Sequence, residues 1–161
     1  MHTLLLLAAK YLWPVVVLVA FVFWLKLPRE AKIRMVVFGI IAAAVTLLLV
    51  KTGEALYYSP RPFVAHDVTP LYPHGPDNGF PSNHTVFTAL IAFIIFSASK
   101  RVGAFLLVLS VLIGISRVIG NIHSPIDIAG GLAFALIGFG IATLLTPYVF
   151  KRLKTLRTHS T

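Results

Sequence analysis

Five apolar runs, at residues 4–25, 35–58, 83–99, 102–121 and 128–150, leave this chain few ways to fold. Each approaches the roughly 20 residues that a helix needs to cross a bilayer. Inside hydrocarbon every backbone N–H and C=O must find a partner within the segment, which a helix provides and an open strand does not. With 58% hydrophobic and 12% charged residues, the chain also lacks the polar surface to cover a water-soluble domain of its length. The sequence therefore predicts an all-α, polytopic transmembrane helical bundle of about five spans, forming one integral membrane domain over 1–161. The first run starts "MHTLLLLAAK", without a basic leader, and continues through "YLWPVVVLVAFVFWL", longer than a signal-peptide core, so it reads as a retained helix. No cysteine is present, which excludes disulfides, thiolate nucleophiles and cysteine-based metal sites.

The net charge of +9 has a topological pattern. Threading five spans puts "KLPREAKIR", Lys100 with Arg101, and the tail "KRLKTLR" on one side, and ten of the fourteen Lys and Arg residues lie in these segments. Positive loops remain cytoplasmic. The opposite, extracytoplasmic face then receives the N-terminus, the loop 59–81 and the turn around His123. The basic segments serve as topology signals and contacts to anionic membrane lipids. No nucleic-acid-binding motif accompanies the charge, so nucleic acid is not an expected partner.

Of the other basic residues, Lys51, Arg61 and Arg117 fall at or near the outer ends of helices, where ionisable groups at membrane depth point to function. The loop after the second run, "SPRPFVAHDVTPLYPHGPDNGFPSNHT", has six prolines and two glycines and reads as an irregular surface segment carrying part of a site. Within "FPSNHT", Pro81 and Ser82 are helix-start residues. A helix N-terminus there presents N–H groups to an anion, with Ser82 and His84 as further donors. In "SRVIGNIHSPIDIAGG", Gly120 and Asn121 break one helix and Pro125 suits the first turn of the next. His123 and Asp127, four residues apart, meet if that turn is wound. A carboxylate on one imidazole N–H fixes the tautomer and frees the other nitrogen. Arg117 supplies a planar fork that matches phosphate oxygens.

Two structural readings compete. His123, Asp127 and Arg117 make an ion pair between helix ends in one; in the other Ser82 is a plain N-cap beside a surface histidine. His66, Asp67, His74 and Asp77 are permissible zinc ligands, but their spacing fits no tight motif, so they read as solvated loop residues or substrate contacts and no metal is expected. His2 and His159 lie in the terminal segments with no specific role.

Three blocks in this order resemble the phosphatidic acid phosphatase type 2 superfamily, whose signatures are KxxxxxxRP, PSGH and SRxxxxxHxxxD. The third block is present at Ser116, Arg117, His123 and Asp127; the second at Pro81, Ser82 and His84, with Asn83 in the glycine position; the first at Arg61 and Pro62, with Glu54 in the lysine position. The resemblance implies a metal-independent phosphatase or diphosphatase without cofactor, working through a phosphohistidine. It implies His123 as nucleophile, Asp127 as its orienting partner and His84 as the acid for the leaving oxygen. Arg61, Arg117 and Ser82 would hold the phosphoryl group, with Asn83 beside them. A carboxylate at Glu54 repels a phosphate dianion unless paired. Lys51, one turn deeper, is expected to extend outward in the lysine's place, and Glu54 to pair with Arg61 or Arg117 or to contact a polar part of the substrate.

Within the family, "RPF", "FPSNHT" and the outward site are most similar to the bacitracin-resistance-type undecaprenyl diphosphatases, which recycle a cell-wall carrier lipid. The expected substrate is a polyprenyl (undecaprenyl) diphosphate, hydrolysed to the monophosphate at the extracytoplasmic face of the cell membrane. Alternatives are a phosphatidylglycerophosphate or phosphatidic acid phosphatase, or a catalytically silent lipid-phosphate binding or transport protein. The family more usually has six spans, against five counted here.

Overall fold

Prolines, glycines and serines set the helix boundaries. The computed structural model describes residues 2–71 and 73–158, with side chains for residues 11–71 and 73–152; His159 and the side chain of His2 fall outside it. Helix α1 (His2–Leu25) leads to α2 (Arg29–Leu56), with Pro28 as the extended N-cap of α2. Beyond α2 the sequence Ser59-Pro60-Arg61-Pro62 resists helix, because a residue before proline is driven out of the α region. A single turn, α3 (Pro62–Ala65), follows within the loop that the sequence left irregular. Helices α4 (Asn83–Ala98) and α5 (Lys100–Ile119) share Ser99, the C-cap of one and the N-cap of the other, whose hydroxyl accepts from the Val102 N–H at 3.4 Å. Gly120 caps α5, Asn121 turns the chain with φ 59°, and Pro125 opens α6 (Pro125–Thr158).

Each of the five apolar runs lies largely within one long helix, and among the described residues no strand occurs. Among the described residues, taken from Tyr11 onward, three helices are long and apolar enough to cross a membrane: Arg29–Leu56, Lys100–Ile119 and Pro125–Arg152. Tyr11–Leu25 and Asn83–Ala98 are shorter apolar helices. Helices α2 and α6 extend past the apolar runs into "REAKIR" and "KRLKTLRT", because Glu, Lys, Arg and Leu sustain a helix beyond the hydrocarbon edge.

Helix α4 is central and packs against α1, α2, α5 and α6. Small residues let the backbones approach, as expected where apolar burial does not distinguish protein from lipid. Gly131, Ala135, Gly138 and Ala142 form a buried stripe on α6. A Cβ at Gly138 would collide with Thr46 of α2, and one at Gly131 would lie 3.2 Å from the Ser82 carbonyl at the start of α4. Large apolar side chains such as Leu18, Ile40, Leu48, Phe105 and Leu144 point outward, the inverse of a water-soluble protein. Leu27, Lys100 and Phe150 line one cavity with Arg34 and Ser97, so the basic turns and the distal part of α6 occupy one end of the bundle. The opposite end holds the loop 57–82 and the α5–α6 turn.

Candidate active site

The α5–α6 turn is wound tightly enough to bring its two ionisable groups together. Backbone N–H groups of Ile122 and His123 donate to the Arg117 carbonyl at 3.0 and 3.3 Å, and the Asp127 N–H donates to Ser124 at 3.1 Å. His123 Nδ1 consequently lies 3.3 Å from Asp127 Oδ2, which also accepts the Ser124 N–H at 2.8 Å. Both side chains are buried, at 4% and 0% exposure. A carboxylate oxygen only accepts, so Nδ1 carries the hydrogen and the lone pair sits on Nε2. Arg61 Nη1 lies 3.4 Å from that Nε2 and donates to the Ile122 carbonyl at 3.1 Å. The imidazole is held between an acceptor and a cation.

Arg61 reaches this position as the N-cap of α3, its carbonyl accepting from Val64 and Ala65. The loop is pinned across the α5–α6 turn by Phe63 N–H to the Asn121 carbonyl and Leu71 N–H to the Gly120 carbonyl, both 3.0 Å. Asn78 fastens its far end. Its Oδ1 accepts from Ser59 and Phe80 N–H groups at 2.9 and 3.0 Å, and its Nδ2 donates to the Tyr57 and Glu54 carbonyls at 3.0 and 3.3 Å. That satisfies the full capacity of one amide. Arg61 Nη2 bonds the Asn78 carbonyl at 3.5 Å, and Nε donates to Asp77 Oδ1 at 2.8 Å. That hydrogen bond holds the Asp77 carboxyl below the usual carboxylate range.

Arg117, in the last turn of α5, is buried at 3% exposure and close enough to Arg61 for their charges to interact. Two guanidinium groups buried together repel each other, and an anion between them relieves that cost. Ser82 is fully buried. Its N–H donates to the Asp127 carbonyl at 3.0 Å, tying the start of α4 to the start of α6, and its hydroxyl accepts from Thr85 at 3.2 Å instead of capping the first turn. His84, half-buried, lies within electrostatic range of His123 and His74, and its ring meets Trp13 edge-on at 6.4 Å. Thr88 donates to the His84 carbonyl at 2.8 Å, fixing this turn of α4. Asn83 is exposed beside it.

The structure thus gathers Arg61, Ser82, His84, Arg117, His123 and Asp127 at one end of the bundle. Lys51 behaves differently from the sequence expectation. Its ammonium pairs with Glu54 Oε2 at 2.8 Å, with the lysine side chain 68% exposed. Glu54 takes Lys51, one turn back on the same helix, as its partner, since residues three apart lie side by side. Sequence reasoning left His74 and Asp77 as solvated loop residues or substrate contacts, and the structure brings both to the site: Asp77 on Arg61, and the His74 ring edge-on to His123 at 6.3 Å. His66 and Asp67 stay exposed. Ser59, Asn78 and Gly79 were also missed. A Cβ on Gly79 would lie 2.9 Å from Asp127 Oδ2. The Asn78-Gly79 pair was the available signal, since this dipeptide marks a tight backbone turn. Among the described residues no three His, Cys, Asp or Glu side chains converge to hold a metal ion.

The sequence model of the PAP2 superfamily matches residues 31–154. "Bacitracin transport permease protein BcrC" of Bacillus licheniformis is 38% identical over 81% of this chain and 63% of its own length. "Undecaprenyl-diphosphatase BcrC" of Bacillus subtilis (strain 168) is 38% identical over 58% of this chain and 51% of its own. "Putative undecaprenyl-diphosphatase YbjG" of Escherichia coli (strain K12) is 37% identical over 86% of this chain and 70% of its own. The chain therefore spans less than two thirds of the length of the two Bacillus relatives. The crystal structure of Aquifex aeolicus LpxE superposes with a TM-score of 0.69 at 24% identity, covering 88% of this chain and 84% of that one, a likeness of fold.

Proposed function

The chain belongs to the PAP2 superfamily, and on that premise we propose that it is a membrane-embedded lipid phosphatase that hydrolyses a polyprenyl diphosphate to the monophosphate through a phosphohistidine. The observation that carries this reading is the imidazole of His123 held between Asp127 Oδ2 at 3.3 Å and Arg61 Nη1 at 3.4 Å. Phosphoryl transfer asks a protein mainly to position groups and to stabilise negative charge. A terminal phosphate seated on Arg61 and Arg117 presents its phosphorus to Nε2. The Nε2 lone pair forms the P–N bond as the bridging P–O bond breaks, and His84 gives a proton to the departing oxygen of the lipid monophosphate. Asp127 stabilises the positive charge left on the ring through Nδ1–H, the role a buried carboxylate plays beside an active-site histidine. Neutral His84 then takes a proton from water, whose oxygen attacks phosphorus, and the P–N electron pair returns to Nε2 as inorganic phosphate leaves.

The chain's apolar exterior and the names of its relatives support a lipid substrate. A prenyl chain stays in the bilayer while its diphosphate enters at the loop end. The basic residues gathered at the other end support an extracytoplasmic site. The test is phosphate release from polyprenyl diphosphate by purified protein in EDTA, with phosphatidic acid and phosphatidylglycerophosphate alongside. The reading predicts fastest turnover on the diphosphate and none in His123→Ala. Faster turnover of either glycerolipid reassigns the substrate, and wild-type turnover in His123→Ala overturns the mechanism.

A further inference from the structure

The charges fixed around His123 cancel. Arg61 and Arg117 are offset by Asp77, bonded to Arg61, and by Asp127, bonded to His123, while Lys51 and Glu54 neutralise each other. A site that takes a diphosphate, more negative than a phosphomonoester, needs positive charge from elsewhere. The imidazoles at this end are the groups able to supply it near neutral pH. His123 must stay neutral to attack, and the proton of His84 goes to the leaving oxygen.

The third imidazole, His74, sits with its ring edge-on to His123 at 6.3 Å. Its Nδ1 lies 3.4 Å from the Gly75 carbonyl, which can only accept, so Nδ1 bears the hydrogen and a second proton adds at Nε2. Asp77 Oδ1, 4.0 Å from Nδ1, supports the charged ring. The His74 side chain is 25% exposed, and the loop that carries it is held by Leu71 on Gly120 and by Asn78 on α2, so the ring is in reach of solvent on an anchored loop.

We propose that His74 is a substrate-binding residue that protonates as the anion arrives and supplies the charge which suits this site to a diphosphate. The inference rests on the lipid diphosphatase reading and names the residue that would set its preference. Among the described residues, the titratable groups facing His74 include Arg61 at the start of α3, Asp77 in the same loop, His123 in the α5–α6 turn and His84 on α4. Burial, then the charge of Arg61, hold the His74 ring below the ordinary imidazole value. That environment favours the neutral ring, and an arriving anion draws in a proton. Binding must weaken as pH rises.

The experiment measures KM and kcat for polyprenyl diphosphate from about pH 5.5 to about pH 8.5, the range over which imidazoles titrate. Wild type, His74→Ala, His74→Gln and His74→Lys are compared. KM of the wild type is expected to rise with pH. Loss of a charge-assisted contact in His74→Ala raises KM at low pH by roughly tenfold or more, flattens its pH dependence and changes kcat by much less. His74→Lys keeps KM low at high pH. His74→Gln retains an N–H for the Gly75 carbonyl and so separates loop support from charge: it follows His74→Ala in KM at wild-type thermal stability. Wild-type KM values in His74→Ala or His74→Gln, or a His74→Lys variant no better than His74→Ala, would overturn the inference while leaving the His123 chemistry intact. A wild-type protein with no turnover refutes the diphosphatase reading instead. Calorimetry with inorganic phosphate in buffers of different ionisation enthalpy then decides, since His74 is expected to account for proton uptake that His74→Ala lacks; equal uptake in both proteins overturns the assignment.

Discussion

The orientation of Arg61 depends on Asp77, a residue outside every signature block. Held at Nε, the guanidinium turns Nη1 toward His123. The Asp77 side chain is 70% exposed, so solvent screening leaves the pair worth less than about 1 kcal/mol to stability. Its effect belongs to positioning. Asp77→Asn is expected to raise KM about tenfold, the loss of one well-aimed charged contact, while shifting the melting temperature little. Because Arg61 depresses the Asp77 carboxyl, the pair's contribution is present above the ordinary value of 3.8 and disappears only as pH falls through the lower value of the folded state. The small stability difference between wild type and Asp77→Asn should thus stay constant down to about pH 4 and vanish below it; a difference that fades between pH 7 and 5 would contradict the assignment. His123 with Asp127 was legible in the sequence because residues four apart across the turn into a proline-started helix become neighbours once that turn is wound. The placement of His74 and Asp77, left as solvated or substrate-contacting, was not, because no periodicity survives in a proline-rich loop whose position is set by hydrogen bonds from Asn78 and Leu71 to distant helix ends.

The helices themselves were legible as apolar runs bounded by prolines, glycines and Ser99, since hydrocarbon permits few alternatives to a helix. Their packing was not. The stripe Gly131, Ala135, Gly138 and Ala142 reads as ordinary apolar sequence, and only the structure shows that it lets α6 approach α2 and α4. Lys51 illustrates the same limit: a stem long enough to reach outward was met first by Glu54 on its own helix. Threading of the helices is directly testable because the chain has no cysteine. Val68→Cys lies in the loop at the site end, and Ser97→Cys near the basic end; both residues are exposed. A membrane-impermeant maleimide added to intact cells is expected to label Val68→Cys and to reach Ser97→Cys only after permeabilisation. The reverse pattern would put the site in the cytoplasm.

At the scale of the whole molecule, one end of the bundle carries the basic turns and the other collects buried charge contributed by α3, α4, α5, α6 and the loop between α2 and α4. Helices meeting a bilayer with apolar flanks have only their ends free for chemistry, and here three chain segments, around residues 61, 84 and 117–127, supply one imidazole with its carboxylate, its arginines and a neighbouring histidine. Helical threading and motif order made that convergence legible; the loop that completes it was not. The most direct test is to look for the proposed covalent intermediate. Purified protein is mixed briefly with polyprenyl diphosphate labelled on its terminal phosphate, quenched in alkali, which preserves phosphoramidates, and mapped by peptide. Label on His123 that turns over in the wild type and is absent from His123→Ala is the predicted result. Sustained turnover in His123→Ala, or label fixed on another residue, would contradict it.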